Sequence, residues 1–473
     1  MSLKIISMPN HKIFILLTDG IGLRNFAYSS FHKLGRDKGF DITFWNNTPF
    51  DLDEYGIKEI RIEKAKAHPI TDLLKIAQTH IELSLSIKKS KDKVYDSYRF
   101  PLSYRDVKSA VKSVIIKGII LWNNSEKGLK NIRKNIAKNE RKTKLYFDSL
   151  ETLQQEKPAI VFCTNQRIML AVAPLLAAKD LGIPTATFIF SWDNLPKGTK
   201  ILETDFYFVW SEHMKNELLY YYAHIKENQI KVTGTPQFES HFQSETIVSR
   251  EAFFKEHTLD INKNYISYSG DDITTSPNDP TYLADLAKAV IKLNEKGNKL
   301  AIIFRRCPVD FSNRFDKVLA EYKEVITSIN PKWQKKADSW HAILPTKEDL
   351  VLQMNTIFHS ELVVNLGSSM VFDFVAFNKP CSFINYDVLN AQFPDWSVKK
   401  IYNYIHFRSM PSENTVFWIN SPSEIEQILE KSLNSDANKI VANAQLWFEK
   451  INQHPPQLAS ERIWNAIDEI CKK

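Results

Sequence analysis

A chain of 473 residues, 43% hydrophobic and 25% charged, has ample core for two or three ordinary globular domains. Its net charge of +7 is local: Arg105 to Lys144 holds 12 Lys and Arg against 3 Asp and Glu, so the rest is close to neutral. The basic run lacks the aromatic interleaving or recognised module of a nucleic-acid binder, and no apolar run reaches the roughly 18 residues needed to span a bilayer. The four cysteines, Cys163, Cys307, Cys381 and Cys471, follow no metal spacing and read as core thiols of a reducing compartment. No secretory signal precedes the first strand, so a cytoplasmic protein is expected.

Lys12 to Thr18 is an apolar, β-favouring run that predicts a first buried strand. It leads into Asp19-Gly20-Ile21-Gly22-Leu23-Arg24-Asn25 and a helical stretch to about Lys38, and Asp41 to Trp45 and Ile57 to Ile62 read as further strands. Glycine is scarce, 13 in the chain, so its placement is informative. Gly20, Gly22, Gly234, Gly270 and Gly367 all fall at or just past predicted strand ends, where ligands sit in open α/β sheets. From about 68 to 156 the pattern turns helical, which predicts a basic helical insertion. The alternation resumes with Ala159 to Asn165, a helix to Leu181, and strands at Thr185 to Phe190, Asp205 to Trp210 and Gln229 to Thr233. Gly234-Thr235-Pro236-Gln237-Phe238 follows, and the first domain is expected to span 1–240.

A second series starts at Tyr265 to Ser269 with Gly270 behind it. A helix over Thr281 to Lys296 precedes the strand Leu300 to Phe304, which carries Arg305 and Arg306 at its carboxyl end. A helix around Phe315 to Ile329, a strand over Trp340 to Leu344 and a capped helix to about His359 come next. Leu362 to Leu366 then reads as a buried strand, Gly367-Ser368-Ser369 as a turn, Met370 to Phe377 as a helix opened by a serine cap, and Cys381 to Tyr386 as another strand. Such a βαβ unit offers free N–H groups to an anion, and Asp373, four residues after Ser369, shares the helical face of the turn. A buried βαβ with a tight turn accounts for the same residues. The second domain is expected at 241–440, with 441–473 as helices returning to the first. The fold class read from this alternation is α/β: two Rossmann-like, doubly wound domains with a helical insertion in the first.

Two βα series joined by a short linker, with Pro345 to Tyr386 as the most specific stretch, resemble the GT-B glycosyltransferases. That stretch is similar to the donor-binding region of this superfamily and its relatives, the UDP-N-acetylglucosamine 2-epimerases and CDP-glycerol glycerophosphotransferases. Val232-Thr-Gly-Thr-Pro-Gln-Phe resembles the segment where their first domain hands over to the second, and Ser191-Trp-Asp-Asn-Leu a loop of bacterial surface-carbohydrate enzymes. Asp373 stands where many relatives carry glutamate.

The resemblance implies a sugar transferred from a nucleotide-sugar across the cleft between domains, without a bound metal or other cofactor. UDP is the first choice of nucleotide, CDP or CMP the next. The expected donor residues are Gly270, Arg305, Arg306, Gly367, Ser368 and Ser369, with Asp373 at the ribose and Arg305 slightly preferred over Arg306 at the phosphates. An inverting transfer needs a base for the acceptor hydroxyl. Asp19 is the first choice, equally readable as a turn-fixing carboxylate, and Asp193 the second. Gly20, Gly22 and Arg24 suit an acceptor loop, and Trp192 a sugar-packing ring. His213, His359 and His406 read as capping or packing residues.

The leading expectation is thus a transferase for a glycan or lipid-linked acceptor in bacterial surface-carbohydrate biosynthesis. A CDP-polyol phosphotransferase and an epimerase or hydrolase of the same fold are the alternatives. The basic run 105–144, with Val114 to Trp122 as a compact apolar cluster among Lys108, Lys112, Lys117, Lys127 and Lys130, suits an anionic membrane surface. A solvated basic face over apolar residues packed under the first domain suits it equally.

Overall fold

The computed structural model describes residues 11–336, 343–389, 393 and 396–472. The chain forms two compact units: residues up to Gln237 together with those from Ile451 onward, and Phe238–Lys450.

In the first unit, β1 (Lys12–Leu17), β2 (Asp41–Asn46), β3 (Glu59–Arg61), β4 (Ile160–Cys163), β5 (Thr185–Phe188), β6 (Phe206–Val209) and β7 (Ile230–Val232) form one sheet. Its order is β3-β2-β1-β4-β5-β6-β7 and every pairing is parallel, with Ile13 opposite Ile160 and Leu16 opposite Cys163. Helices cover both faces of such a sheet, which is why β4 and β5 are buried throughout; β4 reads as a continuous apolar run, and β5 alternates threonine with apolar residues.

The insertion is helical: Pro69–Ser90, Val107–Asn123, Glu126–Glu140 and Lys144–Glu156. Side-chain caps start the last three, from Asp106 to the Ser109 N–H, Ser125 to Gly128 and Thr143 to Tyr146. Ile81, Ile116, Leu129, Ile132, Ile136, Leu145 and Leu153 are buried in one cluster with Phe14, Val161 and Cys163, so the insertion shares a core with the sheet.

The Gly234-Thr235 turn is fastened by the C-terminal segment. The Thr235 N–H donates to Asn452 Oδ1 at 3.0 Å, and Arg462 Nε to the Thr233 carbonyl at 2.7 Å. Trp464, in the helix Ala459–Cys471, stacks on Phe31 and Phe40 at centroid distances of 4.5 and 5.0 Å and donates its indole N–H to the Phe31 carbonyl. The segment that joins the first unit begins at Ile451 rather than 441. The preceding helix, Ala437–Ile451, carries Trp447 and Phe448, which pack on Phe372 of the second unit at 4.8 and 5.9 Å.

The second unit contains β8 (Asn264–Ser269), β9 (Leu300–Arg305), β10 (Ile326–Ser328), β11 (Gln334–Lys335), β12 (Ile343–Leu344), β13 (Leu362–Asn365), β14 (Cys381–Ile384) and β15 (Phe417–Ile419). Six of these make a parallel sheet ordered β10-β9-β8-β13-β14-β15, and β11 and β12 form a separate antiparallel pair. The stretch expected as one helix over 315–329 is a short helix, Asp316–Glu321, followed by edge strand β10. Of the strand expected over 340–344, only Ile343 and Leu344 lie within the described residues, and they pair outside the main sheet. The expected α/β class with two doubly wound units and a helical insertion is the observed one.

Candidate functional site

Strand order in the first sheet reverses between β1 and β4. The loops after these strands diverge there, which opens the crevice where open α/β sheets bind ligands. Asp19 caps the turn at this point. Its Oδ1 accepts from the Gly22 N–H at 2.8 Å, and its Oδ2 from Asn165 Nδ2 at 2.5 Å and Thr18 Oγ1 at 3.3 Å. With three donors and 3% exposure, the carboxylate ties the end of β1 to the end of β4 instead of facing open space. Gly22 is explained by packing, because a Cβ there would lie 2.5 Å from Thr164 Oγ1. Gly20 is buried in the same turn, and half-buried Arg24 donates Nε to Asn25 Oδ1 at 3.2 Å. The expected acceptor loop is therefore largely interior.

Asp193 keeps a partly exposed carboxylate, with 21% of the side chain accessible. It accepts from Ser191 Oγ at 2.6 Å and Asn194 Nδ2 at 2.8 Å and is ion-paired with Lys197. Gln166 fastens this loop to the end of β4: its Nε2 donates to Asn194 Oδ1 at 3.0 Å, and its Oε1 accepts from the Phe190 N–H at 3.0 Å. Trp192 is buried at 7% exposure, so its indole offers no face to a sugar, contrary to expectation.

Arg167 lies close enough to both carboxylates to feel their charges and is missed by sequence reasoning. Burial lowers its pKa, and the charges of Asp193 and Asp19 oppose that shift. Its guanidinium lies 5.5 Å from the Phe190 ring centre, and Lys75 of the insertion donates to its carbonyl at 3.0 Å. Thr164-Asn165-Gln166-Arg167 resembles any polar strand end until the sheet order puts it beside Asp19. The crevice thus gathers Asp19, Asp193, Arg167 and Lys197, two carboxylates and two cations from three loops, with Asp193 and Lys197 on the same one.

In the second sheet the order reverses between β8 and β13. Gly270 follows β8, and Gly367-Ser368-Ser369 follows β13. Gly367 has φ +66°, a left-handed conformation that favours glycine, and a Cβ there would meet Ile401, Phe407 and Tyr402 at 3.0–3.3 Å. The Ser368 N–H donates to Asn365 Oδ1 at 2.9 Å, and Ser368 Oγ accepts from the Met370 N–H at 3.4 Å. Ser369 occupies the cap position of the helix Met370–Val375 without a side-chain capping bond, unlike the serine cap expected.

Two expected contacts are corrected here. Asp373 is 3% exposed and accepts from Nε2 of buried His241 at 2.8 Å, so its carboxylate is a packing partner and not a free ribose ligand. Arg305 is buried, with Nη2 2.9 and 2.8 Å from the two carboxylate oxygens of Asp349. Asp349 also accepts from the Lys332 N–H and Trp333 Nε1, both at 2.7 Å, so this pair is an interior brace. Arg305, the arginine preferred at a phosphate, is thus committed through Nη2 to Asp349. Arg306, half-buried, donates Nη1 to the Ser312 carbonyl at 3.0 Å and lines a cavity of about 310 Å³ with Cys307, Asp310, Phe311 and Trp333.

Beside Gly270 lie two carboxylates, buried Asp279 and half-buried Asp271. Asp279 accepts from the Asp271 N–H at 2.8 Å and from the Tyr268 hydroxyl at 2.5 Å, and burial pushes its carboxyl up to about 6. Asp271 is held well above the usual carboxylate range by burial and then by the Asp279 and Asp272 charges, and its Oδ2 has no hydrogen-bond partner among the described residues. Among the described residues, no three His, Cys, Asp or Glu side chains are arranged to hold a metal ion.

No protein-family model and no curated protein sequence matches this chain. Solved structures match it nearly end to end. S. aureus MnaA in a co-structure with UDP is 14% identical with a TM-score of 0.54, over 98% of this chain and 97% of that one. The UDP-GlcNAc 2-epimerase of Methanocaldococcus jannaschii is 15% identical with a TM-score of 0.51, over 97% and 99%. A glycosyltransferase from Rickettsia africae is 14% identical with a TM-score of 0.51, over 98% and 100%. Identities this low carry a likeness of fold alone. With two doubly wound parallel sheets in one chain and these end-to-end matches, the chain has the GT-B fold.

Proposed function

We propose that this chain is a glycosyltransferase that moves a sugar from a nucleotide-sugar, UDP-linked first and CDP- or CMP-linked next, to a glycan or lipid-linked acceptor. The observation that carries this reading is the unlike character of its two switch-point crevices. The second unit's is walled by small residues, Gly270 and Gly367-Ser368-Ser369, with Arg306 at the neighbouring strand end. The first unit's gathers Asp19, Asp193, Arg167 and Lys197. Backbone amides and an arginine suit a nucleoside diphosphate, and a partly exposed carboxylate suits an acceptor hydroxyl. Each unit then carries one substrate at its own switch point.

In the inverting form of this reaction, Asp193 takes the acceptor hydroxyl proton as that oxygen bonds to the anomeric carbon. The bond from that carbon to the diphosphate oxygen breaks, and the nucleoside diphosphate leaves with the electron pair. The fold shared with a glycosyltransferase supports the reading. The UDP in the MnaA co-structure supports the choice of nucleotide.

The likeness to a UDP-GlcNAc 2-epimerase favours a second reading, a one-substrate reaction on the nucleotide-sugar. Calorimetry with UDP, CDP, CMP and GDP ranks the nucleotides. Release of the preferred nucleotide from its sugar conjugates is then followed with and without a glycan acceptor. Acceptor-dependent release supports the transferase, and epimerised sugar or acceptor-independent release supports the second reading. Failure of every nucleotide to bind overturns both.

A further inference from the structure

The second helix of the insertion, Val107–Asn123, buries a narrow face, with Ser113 and Ile116 inside and Ser113 Oγ donating to the Ser103 carbonyl at 2.6 Å. The opposite face is apolar and open. Val107, Val111, Val114, Ile115, Leu121 and Trp122 fall on one stripe about 120° wide on a helix that turns about 100° per residue. Val107, Leu121 and Trp122 are 82%, 79% and 93% exposed. Gly118 lies within the stripe, and a Cβ added there meets nothing within 4 Å. A helix on a globular surface ordinarily turns its polar face to water, and here the open face is the apolar one.

Lysines edge the stripe. Lys108 and Lys112 run along one side and Lys117 along the other, its Nζ 5.1 Å from the ring centre of Tyr104. No acidic residue occurs from Val107 to Ser125. The next helix, Glu126–Glu140, turns Lys127, Lys130, Lys134 and Lys138 outward while it buries Leu129, Ile132 and Ile136. Arg133, part of the same basic run, faces inward: it is paired with Glu82 at 3.2 Å and Glu203 at 3.3 Å.

We infer that this face lies on a bilayer that contains anionic lipid, with the stripe at the boundary of headgroups and acyl chains and the lysines at the phosphates. Charge complementarity selects this occupant. The centres of protein interfaces are depleted in lysine, whereas lysines flanking an apolar stripe reach up to headgroup phosphates while their stems stay in the apolar layer. Trp122 at the end of the stripe suits the headgroup level, where tryptophan concentrates. No helix among the described residues is long and apolar enough to cross a membrane, so the helix lies in the plane of the surface. The inference is independent of the reaction proposed above.

The test is flotation of the full chain with vesicles of phosphatidylcholine alone and of phosphatidylcholine mixed with phosphatidylglycerol, at low and high salt. One variant carries Leu121→Ser and Trp122→Ser, and a second carries Lys108→Gln, Lys112→Gln and Lys117→Gln. The wild type is expected to float with the mixed vesicles at low salt and much less at high salt. Each variant is expected to lose at least about tenfold in partition with an unchanged melting curve, since all five side chains are exposed. Absence of flotation with the mixed vesicles, equal flotation with both lipids, or flotation that both variants retain overturns the inference. So does a dimer in sedimentation velocity that the Leu121→Ser, Trp122→Ser variant dissociates while no vesicle binding occurs.

Discussion

Asp373 and His241, 132 positions apart, are joined by a 2.8 Å hydrogen bond from Nε2 to Oδ1 with both side chains buried. The bond pins the turn Pro236–Phe242 to the helix Met370–Val375. Removal of either partner strands the other in the interior. Asp373→Ala and His241→Ala are each expected to cost about 2–3 kcal/mol, and the double variant less than their sum. Chemical denaturation measures this. Asp373→Asn is expected to bind nucleotide within about twofold of wild type, because a buried packing contact contributes nothing to the ligand. A tenfold loss of affinity would put the carboxylate back at the ribose.

Arg305 and Arg306 are neighbours with different partners. Arg305→Ala leaves Asp349 as an uncompensated buried charge and is expected to cost about 3–5 kcal/mol of stability. Arg306→Ala is expected to leave the melting temperature almost unchanged and weaken nucleotide binding about tenfold. Calorimetry and thermal melting on the two variants separate the roles. Weakened binding in a stable Arg305→Ala protein would reverse the assignment.

Asp193→Asn is expected to lower kcat by ~10²–10⁴ while donor affinity and melting stay near wild type. Asp19→Asn behaves differently, because an amide cannot accept on both sides: its NH2 would face either the Gly22 N–H or the Asn165 NH2. A stability loss of about 1–3 kcal/mol is expected from that mismatch. A loss of turnover in Asp19→Asn with unchanged melting would make Asp19 the base.

These contrasts mark how far the sequence was legible. Strands buried on both faces, such as Lys12–Leu17 and Leu362–Asn365, announce themselves as apolar runs, and their ends locate Gly20 and Gly367. Edge strands β10 and β15, three residues each, carry too few buried positions to stand out from their surroundings. The βα alternation announces the two-sheet architecture. The partner of each charged side chain is another matter. Arg305 finds Asp349 at 44 positions and Asp373 finds His241 at 132, distances over which no local pattern operates. Arg167 enters the first crevice only once β4 is known to lie beside β1.

Asp271 and Asp279 predict a pH dependence. Both carboxyls are raised by burial, Asp279 to about 6, against roughly 3.9 for aspartate in an unfolded chain. As pH rises from about 4 through 6, the unfolded chain gives up these protons first, so the folded state binds more of them and its stability falls. Asp271→Asn removes the carboxyl whose ionisation the fold disfavours. It is expected to stabilise the protein by on the order of 1 kcal/mol at neutral pH, with the gain shrinking toward pH 4. Denaturation of wild type and variant across this range gives the difference directly. A gain that grows toward low pH would contradict the raised carboxyls.

The Trp464 ring fills the space between Phe31 and Phe40, so the first unit carries a socket whose plug comes from the far end of the chain. The ribosome adds roughly 420 residues between Phe40 and Trp464, which at about 5–20 residues per second takes on the order of half a minute or more. Throughout that time the nascent unit presents two aromatic rings and an unsatisfied Phe31 carbonyl, joined by the unfastened Gly234-Thr235 turn once that turn is made. Newborn chains are thus open to chaperones, and to one another, until the helix Ala459–Cys471 emerges and closes the first unit.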